Sequence, residues 1–384
     1  MSLIVAGALC LVVVPQETIS AQPVPEWARA LERLKFYGDF RLRYERDFEL
    51  DDQPDRDRTR IRGRIGLNYQ VSDQLLVGAR LVTGDRNDPN SSHATLGGGF
   101  DDLEINLDQA FVTYRPDWSA DSYITAGKFQ NPFYHNPVYA ELTWDNDVQP
   151  EGAVTGHSEY DLAGLEELGF TVGYYDLVDE RDTSDVNMVV GELKGSFEAG
   201  PQSIATLATS YIYYSDPTPG TSDLLLERNR GNAVVDTTGN GMPDQFASDF
   251  GIWHTVLGVT YSGLGAPIAF GAEYIKNTRA EVDDDSGYAV GAAWGSAARQ
   301  DDWRVYYQWQ VVEQDAVFSP ISQDDFILTT NHRSHLFGVN YQFTDKIGLH
   351  LWALVSARDQ AFNTPTTDSD NNQWRVRLDL NVKL

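Results

Sequence analysis

The sequence predicts an all-β protein: a transmembrane antiparallel β-barrel of about sixteen strands, with short periplasmic turns and long extracellular loops. The first indication is the segment Trp374–Leu384, in which apolar and polar residues alternate at every position. Because side chains of a strand point alternately to its two faces, this segment would have one apolar and one polar face. Its length suits a tilted membrane-crossing strand and is about twice that of a typical globular strand.

The second indication is that the same alternation recurs along the chain. In the segment 37–48, for example, Phe40, Leu42 and Tyr44 alternate with Arg41 and Arg43. Such a repeat of amphipathic segments of about ten residues is typical of outer-membrane barrels. The sixteen predicted strands are 37–48, 59–71, 75–84, 104–114, 122–129, 151–159, 167–177, 187–198, 203–215, 250–262, 267–277, 287–297, 302–313, 331–343, 347–357 and 372–384.

The third indication is the rhythm of the connections between these strands. Short segments rich in Gly, Pro, Asp and Ser, such as 72–74 and 344–346, alternate with long polar segments. A barrel with periplasmic turns at one end and extracellular loops at the other requires this alternation. The longest predicted loops are 85–103, 130–150, 216–249 and 314–330.

Composition narrows the class of protein further. The formal net charge of −28 argues against a nucleic-acid partner, which would need a basic surface. No central apolar run reaches eighteen residues, which argues against a helical membrane protein. A soluble all-β protein is the alternative, but its strands would be nearer five or six residues long. The predicted lipid contact places the protein in the bacterial outer membrane.

The chain divides into three predicted regions. Residues 1–21 have a twelve-residue apolar run and a small-residue cleavage site, as in a signal peptide. Residues 22–35 form a periplasmic segment with a short helix at 25–35, and residues 36–384 form the barrel. Cys10 lies inside the apolar run, so a lipoprotein signal is an alternative that the bulky Leu9 before it disfavours.

Several segments resemble a family of bacterial putative porins. The resemblance lies in F-Y-G-D-F-R-L-R-Y-E at 36–45, D-R-T-R-I-R-G-R-I-G-L at 57–67, A-G-K-F-Q-N-P-F at 126–133 and W-D-N-D-V-Q-P-E-G at 144–152. It implies a sixteen-stranded diffusion channel for small polar solutes and ions, usually a homotrimer. It also implies that the third loop, 130–150, folds into the lumen and narrows it.

The predicted lumen has one strongly basic wall. Closing the barrel would make the last strand a neighbour of the first, so that the inward-facing arginines of four adjacent strands share one side. Arginine suits such a wall because it stays charged when it is poorly hydrated. These pore-lining residues are Arg41, Arg43, Arg60, Arg62, Arg64, Arg80, Arg375 and Arg377, with Asp39, Glu45 and Asp379 between them. The alternative is that these charges only solvate a wide lumen.

The third loop carries the acidic counterpart of the basic wall. Its constriction acids are predicted to be Glu141, Asp145, Asp147 and, just past its end, Glu151. An acidic loop facing a basic wall would create a transverse field that orients polar solutes. We therefore expect a passive porin with weak ion selectivity that leans towards cations, because the first loop is acidic. A substrate-specific channel for uptake or export, of anions such as phosphate or of saccharides, is the alternative.

One further motif indicates a calcium loop. Asp236, Thr238, Asn240 and Asp244 have the spacing of oxygen ligands in a Ca²⁺-binding loop, with Gly241 at the turn. The bidentate glutamate that normally completes such a loop is absent. The alternative is a turn-rich surface loop, so Ca²⁺ is the one cofactor that the sequence suggests, and weakly.

No enzyme activity is predicted. A barrel enzyme would need a nucleophile and a base held together at the rim. Histidines and serines are present, but no motif distinguishes them from ordinary lumen or rim residues; they are His157, His254, His332, His335, His350, Ser158 and Ser334.

Overall fold

The computed structural model describes residues 31–50, 53–139, 142–179, 185–215, 217, 223–359 and 371–384. The predicted signal peptide and most of the predicted helix at 25–35 lie outside these residues. Leu31 and Glu32 are helical, but Leu34 and Lys35 already belong to the first strand, so the helix prediction was wrong at its end. Among the described residues, no helix is long and apolar enough to cross a membrane.

Within the described residues, sixteen long strands form the barrel, and three two-residue strands lie in its connections. The long strands are β1 (Leu34–Phe48), β2 (Arg56–Gln70), β3 (Leu75–Thr83), β5 (Ile105–Tyr114), β6 (Ser122–Lys128), β7 (Glu151–Leu162), β8 (Leu165–Val178), β9 (Val186–Gly200), β10 (Ser203–Tyr214), β13 (Gly251–Tyr261), β14 (Ile268–Asn277), β15 (Ser286–Gly295), β16 (Trp303–Val312), β17 (His332–Gln342), β18 (Ile347–Arg358) and β19 (Gln373–Lys383). The short ones are β4 (Ala94–Thr95), β11 (Val234–Val235) and β12 (Gln245–Phe246), and a one-turn helix, α1, spans Asp223–Glu227.

Each long strand pairs antiparallel with its neighbours, and β1 pairs with β19 from Asp39↔Lys383 to Phe48↔Trp374. The sheet is therefore a closed sixteen-stranded antiparallel barrel, which confirms the predicted fold. The predicted strand positions agree with those observed, the start of β1 being predicted at 37 and found at Leu34. The sequence did not predict β4, β11 and β12.

The two faces of the sheet differ as the alternation predicted. On β1, Phe40, Leu42 and Tyr44 are exposed on the outer face, whereas Arg43 and Glu45 are buried. Apolar side chains are exposed in the same way on every long strand, for instance Leu351 on β18. A barrel whose exterior is apolar and whose interior is charged is suited to a bilayer and not to water.

The connections at the two ends of the barrel are unequal. One end has turns as short as Ala163–Gly164 between β7 and β8. Aromatic side chains cluster at this end, where the rings of Trp303 and Tyr341 lie 4.6 Å apart and Tyr341 contacts Phe343. The opposite end has the long connections 84–104, 129–150, 215–250 and 313–331.

The long connections pack together and do not behave as independent solvent loops. Phe318 of the connection 313–331 contacts Tyr214 and Phe250 at centroid distances of 4.6 and 5.0 Å. Most residues of 313–331 are buried, including polar ones such as Asp315 and Gln323. The segment is a long connection, as predicted, but it is buried, because its apolar residues pack against the neighbouring connection 215–250.

Candidate functional site

Strand register brings the predicted arginines together at one place on the inner wall. β1 and β2 pair so that Arg41 lies opposite Arg62 and Arg43 opposite Arg60. Residues that are opposite each other in a sheet point to the same face, so these four guanidiniums form one inward cluster. Six of the eight predicted arginines line a cavity of about 280 Å³: Arg41, Arg43, Arg60, Arg62, Arg64 and Arg377.

The other two predicted arginines lie elsewhere. Arg80 on β3 forms a bidentate ion pair with Asp108 of β5, with contacts of 2.6 to 3.1 Å. Arg375 on β19 pairs with Asp47 of β1 at 2.6 Å. Both are inside the barrel, but neither lines the arginine cavity.

Carboxylates from the same strands lie between the cavity arginines. The fully buried Glu45 accepts a hydrogen bond from Arg377 at 2.5 Å and is also paired with Arg58. Asp379 accepts two hydrogen bonds from Arg43, at 2.7 and 2.9 Å. The basic wall is thus a network of alternating charges, in which β1 and β19 supply both signs.

Asp39 completes the network on β1. It accepts hydrogen bonds from Arg62 and Arg64, each at 2.8 Å. The sequence predicted the roles of Asp39, Glu45 and Asp379, whereas Arg58 and Asp47 were not singled out. Their alternation on β2 and β1 was a signal that could have identified them.

The connection 129–150 brings Asp147 to this wall. The Asp147 carboxylate lies 3.6 Å from Arg64 and 3.9 Å from Arg62, and it accepts a hydrogen bond from the Ser92 hydroxyl at 2.9 Å. Burial would raise the pKa of Asp147, but Arg62 and Arg64 outweigh it and lower that pKa. Asp147 therefore carries a negative charge against the basic wall.

The other three predicted constriction acids differ from Asp147. Asp145 accepts hydrogen bonds from the backbone N–H groups of Asp147 and Asp324, so it shapes the connection. Glu151 is exposed and pairs with Lys128, away from the arginine cavity, so its assignment to the constriction was wrong. Its position at the start of β7 places its side chain on the same face as the exposed Ala153. Glu141 lies outside the described residues.

A row of glycines gives the connection 129–150 room against the inner wall. Gly258 of β13, Gly271 of β14 and Gly291 of β15 lie in register on adjacent strands. A Cβ atom at these positions would collide with Tyr134, Asn136 and Val138, respectively. Glycine inside a strand often marks such a close approach of another segment. The three glycines were a sequence signal that the alternation analysis passed over.

Polar contacts tie the same connection to strands on different sides of the barrel. The backbone N–H of Tyr134 donates to Glu192 of β9 at 3.0 Å, and the Asn136 side chain donates to Glu273 of β14 at 2.7 Å. Arg304 of β16 donates to the backbone carbonyl of Val138 at 2.6 Å. Together with the Asp147–Arg64 contact, these bonds reach β9, β14, β16 and β2, which are not adjacent around the sheet.

A second connection, 313–331, supplies acids that the sequence analysis missed. The Asp325 carboxylate pairs with Arg377 and accepts a hydrogen bond from the Tyr139 hydroxyl at 2.5 Å. Burial would raise the pKa of Asp325, but Arg377 outweighs it and lowers that pKa below its usual range. Asp324 lies 3.6 Å from Arg230, and burial together with Asp325 raises the pKa of Asp324 to about 6.

A third connection, 84–104, contributes Ser91 and His93 to the lining of the cavity. Arg60 donates hydrogen bonds to the Ser91 hydroxyl at 2.8 Å and to the His93 carbonyl at 3.4 Å. Burial and the arginines around it lower the pKa of His93 well below its usual range, so its ring is neutral near pH 7. The Asn90 side chain donates to the Ser322 carbonyl at 2.9 Å, which joins this connection to 313–331.

The predicted calcium loop forms an exposed turn between β11 and β12. The Asp236 carboxylate accepts backbone hydrogen bonds from Gly239 and Gly241 at 2.7 and 2.6 Å. Asp244 accepts hydrogen bonds from the Thr237 backbone and hydroxyl at 2.9 Å each. These bonds explain the spacing of the motif without a metal. Among the described residues, no group of three or more His, Cys, Asp or Glu could hold one.

The histidines considered for catalysis lie in separate environments. His157 contacts Ser122 and Glu159, and His254 contacts Glu273 at 2.8 Å. His335 contacts Tyr307, and His350 contacts Tyr306 at 3.0 Å. His332 contacts Ser334 at 2.7 Å, and both side chains are fully buried. A substrate could not reach a nucleophile at this last pair without the surrounding side chains moving. Ser158 donates to Glu167 at 2.8 Å.

Comparison with known proteins supports the same class. Residues 48–194, which include β2 and the connection 129–150, match the family model described as a putative porin. The match covers the part of the chain that supplies Arg60, Arg62, Arg64 and Asp147 to the cavity. No curated protein matches the chain.

Solved porin structures share the fold of this chain. OprB of Pseudomonas putida, determined at high pH, aligns with a TM-score of 0.59 at 12% identity and covers 93% of this chain and 96% of its own. OmpF of Salmonella typhi, in complex with daunomycin, aligns with a TM-score of 0.53 at 14% identity, covering 91% and 97%. OmpT of Vibrio cholerae, in a loop L8 deletion mutant, aligns with a TM-score of 0.53 at 12% identity, covering 91% and 99%.

At these identities the structural matches show the fold alone. The family model adds a similarity to putative porins over residues 48–194, and the apolar outer face is suited to a bilayer. Together they support an outer-membrane porin channel and locate the chain in the bacterial outer membrane.

Proposed function

We propose that the protein is a passive diffusion porin for small hydrophilic solutes and ions, narrowed where the connection 129–150 meets the arginine wall. The observation that carries this proposal is the approach of Asp147 to Arg62 and Arg64 inside a charged barrel. Opposite charges held on facing surfaces produce a transverse field, which orders water and favours polar solutes that can replace that water. The connection 313–331 adds Asp325 to the acidic side.

Two further features of the proposal concern the assembly. We infer that the long connections are extracellular and the short turns periplasmic, as in other outer-membrane barrels. We also infer a homotrimer. One of the matching structures, with a TM-score of 0.51 at 12% identity, is described as the trimer form of OmpT.

The transverse field predicts opposite changes of ion selectivity for opposite changes of charge. Replacing Arg62 and Arg64 with Gln removes two cations beside Asp147, so cation preference should rise. Asp147→Asn removes the facing anion, so anion preference should rise. Zero-current potentials of the purified protein in planar bilayers, under a KCl gradient, measure both effects.

Arg46→Gln is the matched control for this experiment. Arg46 lies on β1, is half exposed and pairs with Asp55 at 3.4 Å, so its loss should leave selectivity near that of the wild type. Channels whose zero-current potential is unchanged in both the Arg62/Arg64 and the Asp147 variants would show that these side chains do not border the conduction path. A protein that forms no channels at all would overturn the porin proposal itself.

A substrate-specific channel is the second candidate. Liposome swelling separates the two, because a general porin gives rates that depend only on solute size, whereas a specific channel shows saturation by one solute. The proposed lean towards cations is supported by exposed acids at the long-connection end: Glu49 and Asp55 in the first connection and Asp57 at the start of β2.

A further inference from the structure

Two of the cavity arginines donate their hydrogen bonds to uncharged groups, whereas the others donate to carboxylates. The Arg41 Nε donates to the Asn381 side-chain oxygen at 2.7 Å, and Arg60 donates to the Ser91 hydroxyl and the His93 carbonyl. All three acceptors are uncharged. Arg43, Arg62, Arg64 and Arg377, in contrast, donate to carboxylates at 2.5 to 3.2 Å.

The carboxylates nearest to these two arginines are engaged by other cations. Asp379 lies 3.6 Å from Arg41 but accepts both of its short hydrogen bonds from Arg43. Glu45 lies 3.7 Å from Arg60 but accepts its 2.5 Å hydrogen bond from Arg377. Asp379 and Glu45 therefore lie near Arg41 and Arg60 without accepting a hydrogen bond from either.

Three nitrogen atoms of cavity-lining residues are buried without a hydrogen-bond partner. They are Arg60 Nε, His93 Nε2 and Trp352 Nε1. The three residues are only 9%, 7% and 2% exposed. Buried polar groups normally have partners. Arg60 Nε and Trp352 Nε1 can only donate, so both lack an acceptor, whereas Nε2 of the neutral His93 ring can donate or accept.

Four acids line the cavity: Asp145, Asp147, Asp324 and Asp325. Asp145 accepts two backbone hydrogen bonds, and Asp324 lies 3.6 Å from Arg230. Asp147 is held by Ser92 and by Arg62 and Arg64, and Asp325 by Arg377 and the Tyr139 hydroxyl. Each of these carboxylates already has a cation or a donor of its own. The donor nitrogens around the cavity that lack an acceptor are Arg60 Nε and Trp352 Nε1.

We propose that this cavity is a saturable binding site for a small oxyanion, with Arg41 and Arg60 as its principal ligands. The inference rests on the proposed channel function and favours the substrate-specific form of it, because it assigns a solute class to the narrow part of the pore. Planar guanidiniums match the paired oxygens of a carboxylate or a phosphate. The cavity of about 280 Å³ has room for roughly nine water molecules, so the solute is small.

Block of the KCl current in planar bilayers tests the proposal. Inorganic phosphate and acetate are the two probes, added separately at constant ionic strength. A bound oxyanion in the narrow part of the pore should reduce the single-channel conductance along a saturating curve. The probe that blocks at the lower concentration identifies whether the site prefers phosphate or carboxylate.

Variants at Arg41 and Arg60 connect the block to the cavity. Arg41→Gln should raise the half-blocking concentration at least about tenfold, because a hydrogen bond to a charged group is lost. Arg60→Gln should do the same. Arg41 is the safer of the two for assembly, since its side chain is 21% exposed whereas Arg60 is surrounded by buried groups. Arg46→Gln, which removes the same charge on the same strand outside the cavity, should leave the half-blocking concentration unchanged.

The outcomes separate this proposal from the channel function. Channels that conduct KCl but show no saturating block by either probe would overturn the oxyanion site and leave the porin intact. A block that Arg41→Gln and Arg46→Gln weaken equally would also overturn it, because the effect would then come from overall charge. Absence of any conductance would instead contradict the porin proposal.

Discussion

At the scale of single residues, Glu45 shows how the charged wall is held together. It is fully buried, yet it lies among Arg43, Arg58, Arg60 and Arg377. Burying a charge is costly unless it is paired and hydrogen-bonded. One carboxylate thus stabilises several guanidiniums that would otherwise repel one another, which makes Glu45 a positioning residue for the cavity.

We expect Glu45→Gln to destabilise the folded barrel by about 3–5 kcal/mol, because the arginines around it lose their shared counter-charge. Urea unfolding of the protein in lipid vesicles measures this change in the free energy of unfolding. Asp57→Asn is the control, since Asp57 forms an exposed pair with Arg46 and such pairs contribute little. Equal stability of the two variants would mean that Glu45 is not needed to hold the wall.

At the scale of elements, the connection 313–331 was the largest departure from what the sequence predicted. The strand positions, and the inward direction of Arg41 and Arg62, follow from the alternation of side chains between the two faces of a strand. That alternation can be read from each short segment of the sequence. The path of a connection depends on its contacts with residues that are distant in the sequence. A short segment of the sequence therefore does not show that path. Phe318 and Phe326 hinted at burial, but nothing in the sequence indicated that Asp325 would meet Arg377. The glycine row at 258, 271 and 291 depends in the same way on the register of three strands.

The same connection should make stability depend on pH. The pKa of Asp324 is raised to about 6, so the folded state takes up a proton there that the unfolded chain takes up only at lower pH. The free energy of unfolding should therefore fall as pH rises through about 4 to 6 and stay lower above it.

Asp324→Asn should abolish that decrease and raise the free energy of unfolding at pH 7.5 by about 1–3 kcal/mol relative to the wild type. Urea titrations of both proteins at pH 4 and pH 7.5 measure the difference. Asp73→Asn, in the exposed turn between β2 and β3, should retain the pH dependence of the wild type. A wild-type profile in Asp324→Asn would show that another group titrates in this range.

At the scale of the whole molecule, the outer face of the barrel contacts lipid, and its inner face contacts charged side chains and water. The alternation in Trp374–Leu384 was sufficient to predict this arrangement, because both faces of one strand are recorded in a single short segment. The sixteen-strand count followed from repeating the same argument along the chain. The shape of the lumen did not, since three connections fill part of it.

The depth of an outer-face residue in the membrane should determine how much a charge placed there lowers the free energy of unfolding. Leu351 lies within β18 and is 47% exposed, whereas Ile347 begins the same strand at the short-turn end. Leu351→Arg should destabilise the protein by about 2–4 kcal/mol and Ile347→Arg by about 1 kcal/mol or less. Unfolding measurements in lipid vesicles compare them, and a negligible effect at both positions would contradict lipid contact at this strand.

The seam between β1 and β19 has a consequence for how the molecule folds. Arg43 and Asp379 lie 336 positions apart along the chain and yet form a buried hydrogen-bonded pair. Contacts between such distant residues form slowly, because a long loop of chain must be ordered before they are made. We therefore expect the part of the charge network that crosses the seam to form late in folding. Until then Arg377 and Asp379 would lack their partners Glu45 and Arg43 on β1.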